Sequence, residues 1–231
     1  MNQDAEKQAV ARRAVQFVQD GMRVGLGSGS TSAHAVRFLG ERIRNEGLKI
    51  IGVPTSPACE EVARMAGVPL AADRDSFALD LAIDGADEAT RDGALIKGGG
   101  GALLHERIVA AATKRFVVIC DSSKLVEQLG SAILPVEVFR FGWRNAAARI
   151  EAEGGQAAIR VQSDGSLFVS EEGNYILDCV FPPETMQRTS WLNQFLRTVP
   201  GVADHGLFLG MADLMLVAHG ERVEEIPLVR G

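Results

Sequence analysis

The segment D-G-A-D-E at 84–88, followed by K-G-G-G-G-A-L-L-H-E at 97–106, decides how the rest of the chain is read. Leu79, Leu81 and Ile83 alternate with other residues just before it, the pattern of a buried strand ending at Asp84. After Lys97 and four glycines, Leu103, Leu104, Ile108 and Val109 follow at helical spacing. Two carboxylates at a strand end, Asp84 and Asp87, thus stand near a loop rich in N–H donors. That loop opens a helix carrying a third carboxylate, Glu106, expected two helical turns in. Four consecutive glycines lose much backbone entropy on folding, and they fit where something must approach the backbone closely. The combination suits chemistry on a small, oxygen-rich, anionic molecule.

Working outward, strand and helix signals alternate. A first amphipathic helix over residues 1–21 places Val10, Ala14, Phe17 and Val18 on one face. Arg23–Leu26 is a short strand running into G-S-G-S-T at 27–31, with a helix over Ser32–Asn45. Strand Lys49–Val53, a helix near Pro57–Met65, strand Leu79–Ile83, the helix to about Ala112 and strand Phe116–Cys120 complete the run. This order predicts an α/β fold, a Rossmann-like parallel sheet flanked by helices. From Leu134 the rhythm changes. Strand Val136–Phe139, helix Trp143–Glu153, strand Ala157–Val161 and a turn at Asp164-Gly165 come first. Strands Leu167–Val169 and Tyr175–Phe181 and a helix over Glu184–Arg197 then describe a smaller inserted α+β subdomain. Gly206–Leu209 and Leu214–His219 are expected back in the first sheet. The division is residues 1–130 plus 205–231 for the larger unit and 131–204 for the subdomain.

The chain has 231 residues, 46% hydrophobic and 23% charged, with a net charge of −6. An acidic protein is a poor general binder of nucleic acid or anionic membranes. To bind an anion it must use local donors, namely lysines and backbone N–H groups beside glycines. Cys59, Cys120 and Cys179 are widely spaced with no metal-ligand pattern, and the expectation is buried free thiols in a reducing compartment. No segment has signal-peptide or transmembrane character, so the reading is soluble and cytoplasmic.

Each motif admits a plainer reading. The turn at Gly25–Thr31 can cradle a phosphate with its backbone and the helix N-terminus, or it can be a tight turn with a Ser/Thr cap. It lacks the lysine of a Walker A motif and the G-x-G-x-x-G spacing of a dinucleotide site. Asp84 and Asp87 fit a turn and helix cap or a magnesium site, although the lysine loop that follows would compete with a cation. Lys97 fits a solvated surface lysine, though the glycine run beside it has little structural reason, and Glu106 fits an exposed helix acid. His105 and Glu106 diverge by about 100° around the helix, so one site does not use both. No nucleophile elbow or triad spacing is present.

Together these motifs resemble ribose-5-phosphate isomerase, type A. The resemblance runs from Lys7 through GSGST (27–31), VPTS (53–56), DGADE, KGGGG and its glutamate, DSSK (121–124), LPVEV (134–138) and GLFLGMAD (206–213). It implies interconversion of D-ribose 5-phosphate and D-ribulose 5-phosphate in the non-oxidative pentose phosphate pathway through a cis-enediol(ate). It implies neither metal nor organic cofactor. Glu106 would be the base; Asp84 would assist ring opening and hold hydroxyls, with Gly85 and Ala86 beside it; Asp87 would bind the sugar. Lys97 with the N–H groups of Gly98, Gly99 and Gly100 would stabilise the oxyanion. Ser28, Gly29, Ser30 and Thr31, with Lys7 and Lys124, would hold the phosphate end. The expected partner is a small sugar phosphate, with no nucleic acid or membrane, and the expected assembly a homodimer or tetramer. Ser28, His105 and Arg107 stand where that family often has Thr, Arg and Lys. Two rivals are a sugar-phosphate-sensing regulator, for which the chain leaves no room for a DNA-binding module, and a coenzyme A transferase using a glutamate nucleophile.

Overall fold

The computed structural model describes residues 3–72 and 78–231; residues 1 and 2 of the expected first helix lie outside them. In chain order come α1 (Gln3–Val15), β1 (Arg23–Leu26), α2 (Gly29–Glu46), β2 (Ile51–Pro54), α3 (Pro57–Ala66), β3 (Leu81–Gly85), β4 (Glu88–Ala89), β5 (Leu95–Ile96), α4 (Leu103–Ala111) and β6 (Phe116–Asp121). A single 3-10 turn spans Ser122–Lys124. There follow β7 (Leu134–Val138), α5 (Trp143–Ala152), β8 (Gln156–Ile159), β9 (Tyr175–Val180), α6 (Pro183–Met186), α7 (Thr189–Thr198), β10 (Val202–His205), β11 (Leu207–Phe208), β12 (Leu214–His219) and β13 (Arg222–Pro227).

The main sheet has the order β13-β12-β6-β3-β1-β2. Its pairs are parallel except the β12–β13 hairpin. Every residue of β6 is buried, as expected where helices cover both faces. On one face α1, α2 and α3 pack Val10, Ala14, Leu39 and Ala63 against Leu26, Leu81 and Ile119. On the other, Val109 and Ala110 of α4 meet Leu79, Phe116 and Met215. Each fully buried leucine or phenylalanine contributes about 1.5–3 kcal/mol, so these two layers hold the sheet.

The strand order places the site. From β1 the chain goes to β2 on one side, and β3 then pairs with β1 on the other. Ligands of open parallel sheets bind in the crevice at the carboxyl ends of strands where the order reverses. Here that crevice lies between the turn after β1 and the end of β3.

The smaller α+β unit is built on an antiparallel sheet, β10-β7-β9-β8, with its own core of Val136, Ile150, Leu177, Leu192 and Leu196. Four expectations are corrected here. Gly206–Leu209 does not rejoin the main sheet, because Leu207–Phe208 pairs with β5 in a three-stranded sheet, β11-β5-β4. Gly206 turns the chain there, its N–H donating to the Pro135 carbonyl while its own carbonyl accepts from Lys97 N–H. The helix expected over Glu184–Arg197 is two, interrupted at Gln187–Arg188. Leu167–Val169 makes only the single bridge Val161–Leu167. Glu106 falls in the first turn of α4 rather than two turns in. Gly101, with φ +88° and its N–H bonded back to the Gly98 carbonyl, closes a turn that delays the helix start.

Candidate active site

At the crevice a cavity of about 180 Å³ is lined by Lys7, Ser28–Thr31, Gly85–Asp87, Lys97–Gly100, Glu106 and Lys124. These are the site residues expected from the sequence, except Asp84, which is buried behind the lining. A larger cleft of about 630 Å³, around Arg91, Glu127 and Met186, gathers no buried titratable group.

One wall is the start of α2. Ser28 sits at its N-cap, yet its hydroxyl bonds Thr55 Oγ1 at 2.7 Å and Ser56 Oγ at 2.8 Å instead of capping the helix. No acid occupies the first turn. The plain capping reading of this turn therefore fails, and the helix N-terminus keeps its donors and partial positive charge for an anion. Lys7 Nζ donates to Ser30 Oγ at 3.0 Å, which places its charge on the same wall. Gly27 has to be glycine, since a Cβ there would collide with the Asp84 carboxylate.

The opposite wall is buried and ionic. Lys97 is 2% exposed. Its Nζ donates to the Gly85 carbonyl at 2.5 Å and lies 2.8 Å from Asp84 Oδ2 and 3.3 Å from Glu106 Oε2. Asp84 Oδ1 accepts from the N–H groups of Ser28 at 3.0 Å and Gly85 at 2.7 Å, and from Ser32 Oγ at 3.1 Å. Burial works to strip Lys97 of its proton, but the carboxylates of Asp84 and Glu106 override it and hold the ammonium above its usual range. For Glu106 burial dominates the other way: it pushes the carboxyl up to about 7, against the pull of Lys97 and with help from Asp84. Although Glu106 Oε2 is within ion-pair reach of Lys97, it lies outside hydrogen-bond geometry and has no hydrogen-bond donor among the described residues. The ammonium between Asp84 and Glu106 fills the place a cation would need, and no metal-binding group of three or more His, Cys, Asp or Glu occurs among the described residues.

Asp87 reaches the cavity from the turn after β3, and its Oδ2 accepts the Gly99 N–H at 2.7 Å. That donor, expected to serve an oxyanion, is thus already engaged. His105, the neighbour of Glu106, faces away as its helical position requires, pairing with Glu172 at 2.7 Å and Glu171 at 3.3 Å. Two residues escaped the sequence reading. Ser32 ties Asp84 and Gly85 to α2. Buried Glu6 accepts from Ser122 N–H and hydroxyl and from Gly220 N–H, locking the element that bears Lys7 to the turn that bears Lys124. A carboxylate on the buried face of an amphipathic helix was the available signal.

Fold and site together define an α/β protein with a lysine-flanked cavity, open to a helix N-terminus, over a buried carboxylate–ammonium pair. Residues 51–222 match the family Ribose 5-phosphate isomerase A (phosphoriboisomerase A). The chain is 48% identical over 225 residues to the ribose-5-phosphate isomerase A of Synechococcus sp. (strain JA-3-3Ab), covering 96% of this chain and 97% of that one. The solved ribose 5-phosphate isomerase A of Methanocaldococcus jannaschii superposes with a TM-score of 0.91 at 37% identity, over 98% of this chain and 100% of that one. A D-ribose-5-phosphate isomerase solved in complex with phospho-erythronic acid superposes at 0.93 with 33% identity, over the same shares of the two chains. The chain belongs to the ribose 5-phosphate isomerase A family.

Proposed function

We propose that this chain interconverts D-ribose 5-phosphate and D-ribulose 5-phosphate, the isomerisation of the non-oxidative pentose phosphate pathway. The observation that carries the reading is Glu106, a buried carboxylate raised to about 7. Glu106 lines a cavity whose far wall is an open helix N-terminus with two lysines, and its buried Oε2 has no hydrogen-bond donor among the described residues. A base with a pKa near the working pH takes and returns a proton most effectively.

With the phosphate held by the Ser28–Thr31 turn, Lys7 and Lys124, the open-chain aldehyde end reaches toward Lys97. Glu106 removes the proton from carbon 2 and the aldehyde oxygen gains negative charge, which the Lys97 ammonium meets. A proton passes between the two oxygens of the cis-enediol, Glu106 delivers its proton to carbon 1, and carbon 2 becomes the ketone. Asp87 holds sugar hydroxyls from the cavity wall beside Gly85 and Ala86. Asp84, behind that wall, acts by keeping Lys97 charged and in place rather than by touching the substrate. Binding at the phosphate supplies energy remote from the reacting carbons. No metal or cofactor is required.

Residues 1–130 with 205–231 form the larger domain in this reading and 131–204 the smaller. The exposed Phe139, Phe141 and Val180 of the smaller unit suit a homodimer or tetramer interface, to be measured by light scattering. Three buried free thiols suit a reducing cytoplasm. Among the described residues no helix is long and apolar enough to cross a membrane. A coupled assay with ribose 5-phosphate and with free ribose, with and without chelator, tests the function. Turnover of the phosphate ester alone, unchanged by chelator, is expected; equal turnover of ribose, or loss with chelator restored by a divalent cation, overturns it.

A further inference from the structure

We propose that Arg160, in the smaller unit and outside the cavity, is a positioning residue that orients the glycine loop for its reaction. The inference rests on the isomerase reading above. Arg160 follows β8, and its Nη1 donates to the Gly99 carbonyl at 3.0 Å. The guanidinium is itself preset by Asp178 of β9, which accepts from Nε at 3.0 and 3.1 Å and from Nη2 at 2.5 Å. Such a planar fork holds one carboxylate and still directs a further N–H at a fixed angle, which a lysine cannot reproduce.

The geometry of the peptide turns this contact into a function. No peptide bond among the described residues is cis. Across a trans peptide plane the carbonyl of Gly99 and the N–H of Gly100 point in opposite directions. Arg160 is not part of the cavity lining and Gly100 is, so pinning the carbonyl outward turns the Gly100 N–H toward the cavity. The cationic partner also polarises the peptide and strengthens that donor. With the Gly99 N–H held by Asp87, the Gly100 N–H is a loop donor left to help Lys97 at the developing oxyanion. Gly99 is therefore clamped from both units, its N–H by the main-sheet side and its carbonyl by the antiparallel sheet. Phe168 completes the brace: its ring lies beneath the Arg160 guanidinium at 5.6 Å and fills the space a Cβ on Gly101 would need. A glycine loop free of these contacts has wide conformational freedom, and a donor that must first be ordered contributes less to the transition state.

The test measures kcat and KM for ribose 5-phosphate and the inhibition constant of phospho-erythronic acid, whose carboxylate presents two oxygens at the chain end as an enediolate does. In Arg160→Ala, kcat is expected to fall ~10-fold, a fraction of the ~10²–10³-fold that loss of a whole oxyanion donor brings. KM holds, and inhibitor affinity falls in step with kcat. Added guanidinium ion restores part of the kcat of Arg160→Ala and none to the wild type, while Arg160→Lys remains impaired. Should Arg160→Ala fail to fold, Asp178→Asn, which keeps size but loosens the fork, is expected to shift kcat in the same direction by less. Unchanged kcat and inhibitor affinity in a folded variant, or kcat and KM worsening together without guanidinium rescue, overturns the assignment. A wild type that does not isomerise ribose 5-phosphate sinks the underlying reading instead.

Discussion

The turn at Ser28–Thr31 and the loop at Gly98–Gly100 line the same cavity, yet they are held in different ways. The first is the mouth of a helix: Gly29 and Ser30 are exposed, the N-cap hydroxyl is diverted to Thr55 and Ser56, and the charge beside it comes from Lys7. The second, whose Gly99 and Gly100 are also exposed, lies over three buried charged side chains, Asp84, Lys97 and Glu106, none more than 6% exposed. A wet, positively polarised turn suits a ligand group that is charged before, during and after reaction. A dry cluster, in which charges interact strongly because water is excluded, suits charge that appears only in the transition state. The contrast separates binding from chemistry, and substitutions at the two turns are expected to affect different kinetic constants.

The largest effect is expected in the dry cluster beneath the second turn. Glu106→Gln keeps the shape but removes the basic lone pair, and kcat should fall by at least ~10²-fold, the lower range for a positioned base. Phospho-erythronic acid should still bind, as measured by titration calorimetry. Near-normal turnover in this variant would break the division between the two turns.

The pH profile follows from the same residue. With Glu106 raised to about 7, kcat should fall by about tenfold per pH unit below that value as the base becomes protonated. The stability sign is opposite to that of an ordinary salt-bridged acid. The folded pKa lies above the ordinary value of 4.5, so the folded state binds the proton more tightly. Wild type should therefore gain stability relative to Glu106→Gln as pH falls from about 7 toward 4.5 and lose it as pH rises through 7. Denaturant titrations of both proteins at a series of pH values check this.

At the wet turn the expected change is in KM. Lys124→Met and Lys7→Met should each raise KM for ribose 5-phosphate by roughly tenfold with kcat nearly kept, the value of one charge-assisted hydrogen bond. Glu6→Gln should move KM the same way, because it loosens the elements carrying both lysines. A fall in kcat with KM unchanged would show that the wet turn takes part in chemistry.

The smallest effect is expected beside the base. His105→Asn breaks two partly exposed pairs with Glu171 and Glu172 and should lower stability by at most ~1 kcal/mol without touching kcat. An inactive His105→Asn would transfer the base to the histidine.

Read alone, the chain marked both turns, the three carboxylates of the site and the lysine between them, because each leaves a local trace. Glycine runs, a strand ending on an acid and helical apolar spacing all depend on residues a few positions apart. The alternation of strands and helices was equally legible, since side-chain periodicity is local. The same locality explains the errors. Leu207–Phe208 looks like any short apolar strand, and only its hydrogen bonds to Leu95 and Ile96 assign it to the small sheet. Arg222–Pro227, with Arg222, Glu224 and Glu225 breaking up Val223 and Ile226, carried little apolar signal and forms through pairing with β12.

What only the tertiary structure decided is the electrostatic state of the site. Asp84 and Lys97 are 13 positions apart along the chain and Glu106 a further nine, and no local pattern says that they share one dry space. The β4–β5 hairpin and the first turn of α4 fold back on the end of β3 and bring them together, and the surrounding core excludes the water that would otherwise leave Glu106 an ordinary acid. The Asp87–Gly99–Arg160 clamp spans both units and arises the same way, from contacts between segments distant in sequence. By itself the sequence determined which groups the site contains and which elements carry them. Their burial, ionisation and orientation depend on long-range packing, because desolvation and Coulomb interaction are set by distance in space, not along the chain.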